Sequence, residues 1–267
     1  MYALTYFRPA SLDEAIAFLN AHPEAKPLSG GMTLVPTLKQ RLAAPSHLVD
    51  LSRLPELQGI DFDAGVLRIG AATPHAHVAA SGMVRCEIPA LAALAGLIAD
   101  PQVRNRGTIG GSVANNDPAA DYPAALLGLD ATVITSTRRI AADDFIVGMF
   151  ETALQEGELV TAIEFPRPDR AAYLKYAHAA SGYAVTGVFV SQAGGKVRVG
   201  VTGAGPSAFR WTDAEQALEE EFCVAALSGL SVDPEQMLDD ATAPTNYRAN
   251  LVRVFTRRAV AAALQGA

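Results

Sequence analysis

Apolar and polar side chains alternate over 2–7, which predicts a strand. Ser11-Leu-Asp-Glu14 reads as a capping box opening a helix over 12–20. A short strand over 26–28 ends in Ser29-Gly30-Gly31, and helical spacing follows over 33–42. Strands are expected over 47–51 and 66–70. Thr73-Pro74 reads as an N-cap with proline at the first helical position, and the Ala/Leu run over 88–98 as a buried helix. The pattern then breaks. Asp100 to Pro123 is polar and glycine-rich, with Val, Ile and Ala at positions that can pack, and it reads as a long functional loop. A helix over 123–129 and strands over 131–136 and 159–165 resume the order.

Phe165-Pro-Arg-Pro-Asp-Arg170 interrupts the pattern with two prolines and charge, and reads as a linker dividing the chain into 1–168 and 169–267. Beyond it, strands over 184–191 and 196–202 flank Gly194-Gly195 as a hairpin. Thr212-Asp-Ala-Glu215 reads as a second capping box, opening a helix to about Glu221. The last helix, over 246–264, places Tyr247, Leu251, Val254, Phe255 and Ala262 along one face. No internal repeat is visible. The order predicts an α+β fold in two parts, not a regular βαβ array.

Composition narrows the function. Half of the 267 residues are apolar, enough for one large domain or two modest ones. A net charge of -7 without Lys/Arg clusters argues against a nucleic-acid surface. No apolar run is long enough for a bilayer, and the start lacks the features of a secretory signal, so a cytoplasmic protein is expected. Cys86 and Cys223 form no CxxC and read as reduced core thiols. An iron–sulfur cluster needs about four thiolates, so this chain is not expected to hold one. His22, His47, His75, His77 and His178 show no metal-ligand spacing, and His75 with His77 reads as a surface pair on a short helix. No Ser-His-Asp, Cys-His or paired-carboxylate pattern is present, so neither catalytic nor metal residues are expected.

Two glycine pairs carry the candidate chemistry: Gly30-Gly31 between Ser29 and Thr33, and Gly110-Gly111 between Thr108 and Ser112. Paired glycines let backbone N–H groups converge on an anion without a basic side chain. A helix starting after Gly31 would add its dipole. Two such turns brought together suit a pyrophosphate, whereas either alone is also read as a tight turn. Asn115, Asn116, Asp117 and Asp121 follow the second pair. A carboxylate there suits ribose or ribityl hydroxyls, and Asp121 also reads as a helix cap before Pro123. Arg104 and Arg106 read as phosphate or partner contacts, or as a solvated loop face.

These segments resemble the FAD-binding subunits of molybdenum hydroxylases. Ser29-Gly-Gly-Met-Thr-Leu-Val-Pro36 is similar to the family's first diphosphate loop, with Ser29 and Thr33 standing for Ala and Ser. Asn105-Arg-Gly-Thr-Ile-Gly-Gly-Ser112 is similar to the second, and Asp117-Pro-Ala-Ala-Asp121 to the segment carrying its acidic residue. Thr73 matches the family's Gly-Ala-x-Thr, and Ser181-Gly-Tyr-Ala-Val-Thr-Gly187 resembles a stretch near the isoalloxazine ring. The likeness covers nearly the whole chain. It is greater to the medium subunit of the carbon monoxide dehydrogenase and aldehyde oxidoreductase type than to the flavin segment of xanthine dehydrogenase.

The resemblance implies a two-lobed FAD-binding domain of the PCMH type, followed by a small C-terminal domain of antiparallel sheet and helices. It implies non-covalent FAD held by Ser29, Gly30, Gly31, Met32, Thr33, Leu34, Val35, Thr73, Thr108, Ile109, Gly110, Gly111, Ser112, Asn115, Asp121 and Tyr183. It places 2Fe–2S clusters in a small partner subunit and the molybdenum cofactor in a large one, as a dimer of heterotrimers. Electrons would pass from the clusters through the flavin to an external acceptor.

Other readings compete. Gly203-Ala-Gly205-Pro-Ser-Ala208 fits the GxGxxA of a nicotinamide-binding unit. Against it, Pro206 and the cap at Thr212 set the helix start far past the glycines. A free-standing FAD oxidoreductase and a flavin-free scaffold subunit are the remaining alternatives. Gly111→Asp is expected to abolish FAD retention, and Asp121→Ala to weaken it while leaving folding intact.

Overall fold

Three short strands, each separated by a helical segment, give the chain a small parallel sheet at its start. In the computed structural model, which describes residues 1–266, β1 (Thr5–Phe7), β2 (Lys26–Leu28) and β3 (His47–Asp50) pair in the order β1-β3-β2. Between them, α1 (Leu12–Ala21) starts at Ser11, whose hydroxyl accepts from the Glu14 amide as the capping box requires. α2 (Leu34–Lys39) is shorter than the helix expected over 33–42. Ala15, Leu19, Val49, Leu51, Leu57 and Ala72 pack beneath this lobe.

A second lobe follows. β4 (Ile60–Asp63) and β5 (Val66–Gly70) form a hairpin. The chain then runs through α3 (His75–Ala80), α4 (Gly82–Glu87), α5 (Pro89–Gly96), α6 (Pro101–Arg106), α7 (Ile109–Asn115) and α8 (Tyr122–Gly128). It returns through β6 (Thr132–Thr135), β7 (Arg139–Ala141), α9 (Ala142–Phe145), the small hairpin of β8 (Ile146–Gly148) and β9 (Glu151–Thr152), and β10 (Val160–Pro166). The five-stranded antiparallel sheet has the order β4-β5-β10-β6-β7.

The segment expected as a long loop over 100–123 is thus mostly helical. Asp100 caps α6, its carboxylate accepting from Val103 N–H at 2.9 Å, and Thr108 caps α7. The cap of α3 is Pro74, not Thr73, whose hydroxyl instead donates to the Gly59 carbonyl. His77 is exposed, but His75 is buried beside the Tyr122 ring, so the pair is not a surface pair.

The last part is an antiparallel sheet of β11 (Arg170–Ala177), β12 (Ala184–Ala193), β13 (Lys196–Thr202) and β14 (Phe209–Arg210), in that order. β11 gives no alternating signal because Ala171, Ala172 and Tyr173 are all buried in succession. α10 (Thr212–Glu220) and α11 (Thr245–Leu264) complete this part. Trp211 occupies the cap of α10, so Thr212 to Glu215 is not a capping box. Glu215 is buried and accepts from the Val199 amide and from Arg210 Nε, each at 2.9 Å. In α11, Leu251 and Phe255 are buried as expected, whereas Tyr247 is exposed and Val254 and Ala262 are half-buried. Val252, Thr256, Ala259 and Val260 complete the inward face. Cys86 is exposed and Cys223 half-buried, so neither is a core thiol.

The nicotinamide-binding reading of Gly203 to Gly205 does not survive. The strands around it are antiparallel, and the Gly203 amide and carbonyl are taken by Pro118 and Arg248. The next helix begins only at Thr212. α8, buried at every position, lies between the second lobe and the last sheet. One apolar cluster joins its Tyr122 to Tyr173 and Phe189 of that sheet.

Candidate functional site

The two glycine turns come from distant parts of the chain and meet at one cleft. Ser29 Oγ lies 2.9 Å from Thr108 Oγ1. A Cβ on Gly30 would overlap the Arg106 carbonyl, so only glycine permits this approach. Gly31, with φ of 72°, takes the turn that delivers the chain to α2.

Their amides differ. Among the described residues, the N–H groups of Gly30, Gly31, Met32 and Thr33 donate to no carbonyl of the chain. Those of the second turn are spent. Ile109 N–H donates to Thr73 O at 3.1 Å, Gly110 to Ala71 O at 2.9 Å, Gly111 to Thr108 Oγ1 at 3.2 Å and Ser112 to Thr108 O at 3.0 Å. The first turn therefore keeps its amides unpaired within the chain. The second contributes hydroxyls and a bare glycine surface.

The cleft has a volume of about 690 Å³. That lies inside the roughly 300–1,000 Å³ typical of cofactor sites. Ser29, Gly30, Gly31, Met32, Thr33 and Leu34 line it from the first turn. Thr108, Gly110, Gly111, Ser112 and Asn115 line it from the second, and Asp121 and Tyr183 are also in its wall. Val35, Thr73 and Ile109 stand behind this lining: Val35 packs under Gly31, Thr73 bonds Gly59, and Ile109 is wholly buried. Asn116 also turns away. It takes the left-handed conformation and its side-chain amide donates to the carbonyls of Gly148 and Glu151, holding the β8–β9 hairpin. Arg104 Nη1 donates to the Ile98 and Ala99 carbonyls, so it steadies the end of α5.

The polar groups of the cleft have distinct environments. Asp121 holds the N-cap position of α8, but its side chain makes no capping hydrogen bond there. Its carboxylate is buried, with Oδ1 2.8 Å from Lys175 Nζ and 2.6 Å from the Tyr173 hydroxyl that donates to it. Burial pushes its carboxyl up, and the ammonium and hydroxyl pull it back. Burial likewise raises Asp117. Tyr183, at the end of the turn leading into β12, is 41% exposed and lies in the cleft wall. Partial burial, then the carboxylates of Asp117 and Asp121, raises its hydroxyl. Burial, assisted by Arg104, lowers His75 to about 4, so its imidazole is neutral at pH 7. Lys175 was not singled out in the sequence, although a lysine inside the apolar run Ala171 to Ala177 marks a position that needs a partner.

Unpaired backbone amides, a cleft of this volume and an aromatic in its wall would suit a large anionic cofactor with a planar ring. The family profile described as FAD binding domain in molybdopterin dehydrogenase matches residues 2–168. The carbon monoxide dehydrogenase medium chain of Hydrogenophaga pseudoflava is 33% identical, covering 97% of this chain and 96% of its own length. The glyceraldehyde dehydrogenase medium chain of Sulfolobus acidocaldarius is 39% identical over 69% of this chain and 68% of its own. A solved structure of Hydrogenophaga pseudoflava carbon monoxide dehydrogenase lacking the Mo-pyranopterin moiety superposes with a TM-score of 0.90. Its matched chain is 34% identical, with 99% of this chain and 98% of that one covered. Quinoline 2-oxidoreductase from Pseudomonas putida superposes with a TM-score of 0.87 at 30% identity, with the same coverage.

The chain belongs to the family of FAD-binding domains of molybdopterin dehydrogenases. Within it, the chain is of the FAD-binding medium-subunit type found in molybdenum hydroxylases. The residues present fit that cofactor, since the free amides suit a diphosphate and the cleft has the volume for the rest.

Proposed function

We propose that this subunit takes electrons from 2Fe–2S clusters of a small partner subunit and passes them to an external acceptor. Substrate hydroxylation then belongs to a large molybdenum subunit, in a cytoplasmic complex built as a dimer of heterotrimers. When bound, FAD supplies both one- and two-electron exchange, which such a relay needs. The chain's own residues bind and orient. Gly30 to Thr33 donate amides to the diphosphate, Ser29 and Thr108 supply hydroxyls beside it, and Asp121 receives a ribityl or ribose hydroxyl. Tyr183 lies against the ring. In this reading residues 1–168 carry the flavin, with Tyr183 added by a C-terminal docking unit of 169–267.

The observation that carries the reading is the meeting of two glycine turns, from distant parts of the chain, at one cleft with Tyr183 in its wall. The metal centres are assigned to partner chains, a reading supported by relatives that are themselves named as medium chains. The relatives named as medium chains favour this over a free-standing flavoenzyme. Affinity capture of the native complex tests it. Flavin, iron and molybdenum should elute with this chain and two further subunits. A flavin-containing chain eluting alone at native expression would favour the free-standing enzyme.

A further inference from the structure

Lys175 lies outside the flavin cleft, yet it ties together two of the groups in the cleft wall. Its side chain is only 4% exposed. An ammonium has three N–H donors, and three acceptors surround this one. They are Asp121 Oδ1 at 2.8 Å, the Leu97 carbonyl at 2.9 Å and the Gly182 carbonyl at 2.8 Å. The acceptors come from three separate segments: the start of α8, the end of α5 and the turn before β12 that carries Tyr183. Tyr173, two positions earlier on the same face of β11, donates to the same Asp121 oxygen. Gly187 pairs with Lys175 across β12, and a Cβ there would come within 2.5 Å of the Tyr173 hydroxyl, so the absence of a side chain leaves room for the cluster.

We propose that Lys175 is a positioning residue for the flavin, fixing the Asp121 carboxylate and the Tyr183 turn at once without touching the cofactor. This rests on the assignment of the cleft to FAD with Tyr183 beside the ring. Of the groups Lys175 binds, Asp121 and Gly182 are in the cleft wall, and Tyr183 follows Gly182 directly. With Oδ1 held by Lys175 and Tyr173, Asp121 keeps Oδ2 for the ligand. Without the ammonium, the carboxylate loses its cation and the Gly182 carbonyl its donor, so both cleft groups are released together.

The test is a double-mutant cycle on the full chain, read by FAD titration and by the emission of bound flavin at saturation. A tyrosine stacked on the ring quenches that emission by donating an electron to the excited flavin. In the wild-type background Asp121→Asn should weaken FAD binding about tenfold, the value of a charge-assisted hydrogen bond. In the Lys175→Met background the same change should cost less than about twofold, because Asp121 is no longer held in place. Lys175→Met should also raise the emission of bound flavin, whereas Asp121→Asn alone leaves it at the wild-type level. If Lys175→Met is too unstable to assay, the doubly neutral variant carries no stranded charge, and its emission is compared with that of Asp121→Asn. The same tenfold cost in both backgrounds, or unchanged emission on losing Lys175, overturns the proposal. Failure of the wild-type chain to bind FAD overturns instead the flavin reading beneath it.

Discussion

Gly111→Asp is expected to give a colourless protein that regains no yellow colour on adding FAD. Gly111 is exposed in the cleft beside both turns, and a Cβ there would lie 2.9 Å from Thr108 Oγ1 and 4.0 Å from the Ser29 Cβ. On the proposed placement of the diphosphate, the new carboxylate would stand against it. Two like charges about 4 Å apart near a protein surface repel by roughly 4 kcal/mol, which is about a thousandfold in Kd. The fold should tolerate the change better, because disturbing the Thr108 cap costs about 1 kcal/mol. Gly111→Ala separates the two effects: it carries the cap cost without the charge and should retain flavin. Equal flavin content in Gly111→Asp and wild type, read from the visible spectrum, would remove the second turn from the site.

Asp121→Ala is expected to be the more damaging change for stability. From sequence alone the substitution is expected to leave folding intact. The geometry says otherwise, because the substitution strands the buried Lys175 ammonium. Removing one partner of a buried ion pair costs about 3–5 kcal/mol. For a chain of this size that lowers Tm by roughly 10 °C. Asp121→Asn keeps the shape and an acceptor oxygen for Lys175 but not the counter-charge, so it should recover part of the loss. Thermal melts of the two variants check this. A melt of Asp121→Ala within about 2 °C of wild type would mean that the pair contributes little to the fold.

The fold was legible where one principle dominated. The Ser11 cap, the short strand ending at Leu28 and the hairpin over 184–202 rest on local patterns, and the structure repeats them within a residue or two. It was illegible where tertiary packing overrode the local signal. β11 hides because buried residues on both of its faces erase alternation. α6 and α7 hide because glycine and polar residues dominate their composition, while their caps at Asp100 and Thr108 are single residues. The Thr212 box misled because Glu215 has stronger partners in Arg210 and the Val199 amide.

The site shows the same division. Glycine pairs mark where a backbone must approach something, and here each approaches a backbone as well as the cleft: Gly30 the Arg106 carbonyl, Gly110 that of Ala71. Sequence cannot show which amides remain free afterwards. That depends on the Ala71 and Thr73 carbonyls, which consume the second turn's donors and leave the first turn's unpaired. Nor does it show that Asp121 is held from β11 by residues more than fifty positions away, because that contact exists only once α8 lies against the last sheet.

A crystal structure of the chain with FAD tests the central claim most directly. The account predicts the diphosphate within hydrogen-bond distance of the Gly30 to Thr33 amides, the Ser29 and Thr108 hydroxyls beside it, and the isoalloxazine ring against Tyr183. A diphosphate held elsewhere, with the first turn's amides facing only water, would contradict it.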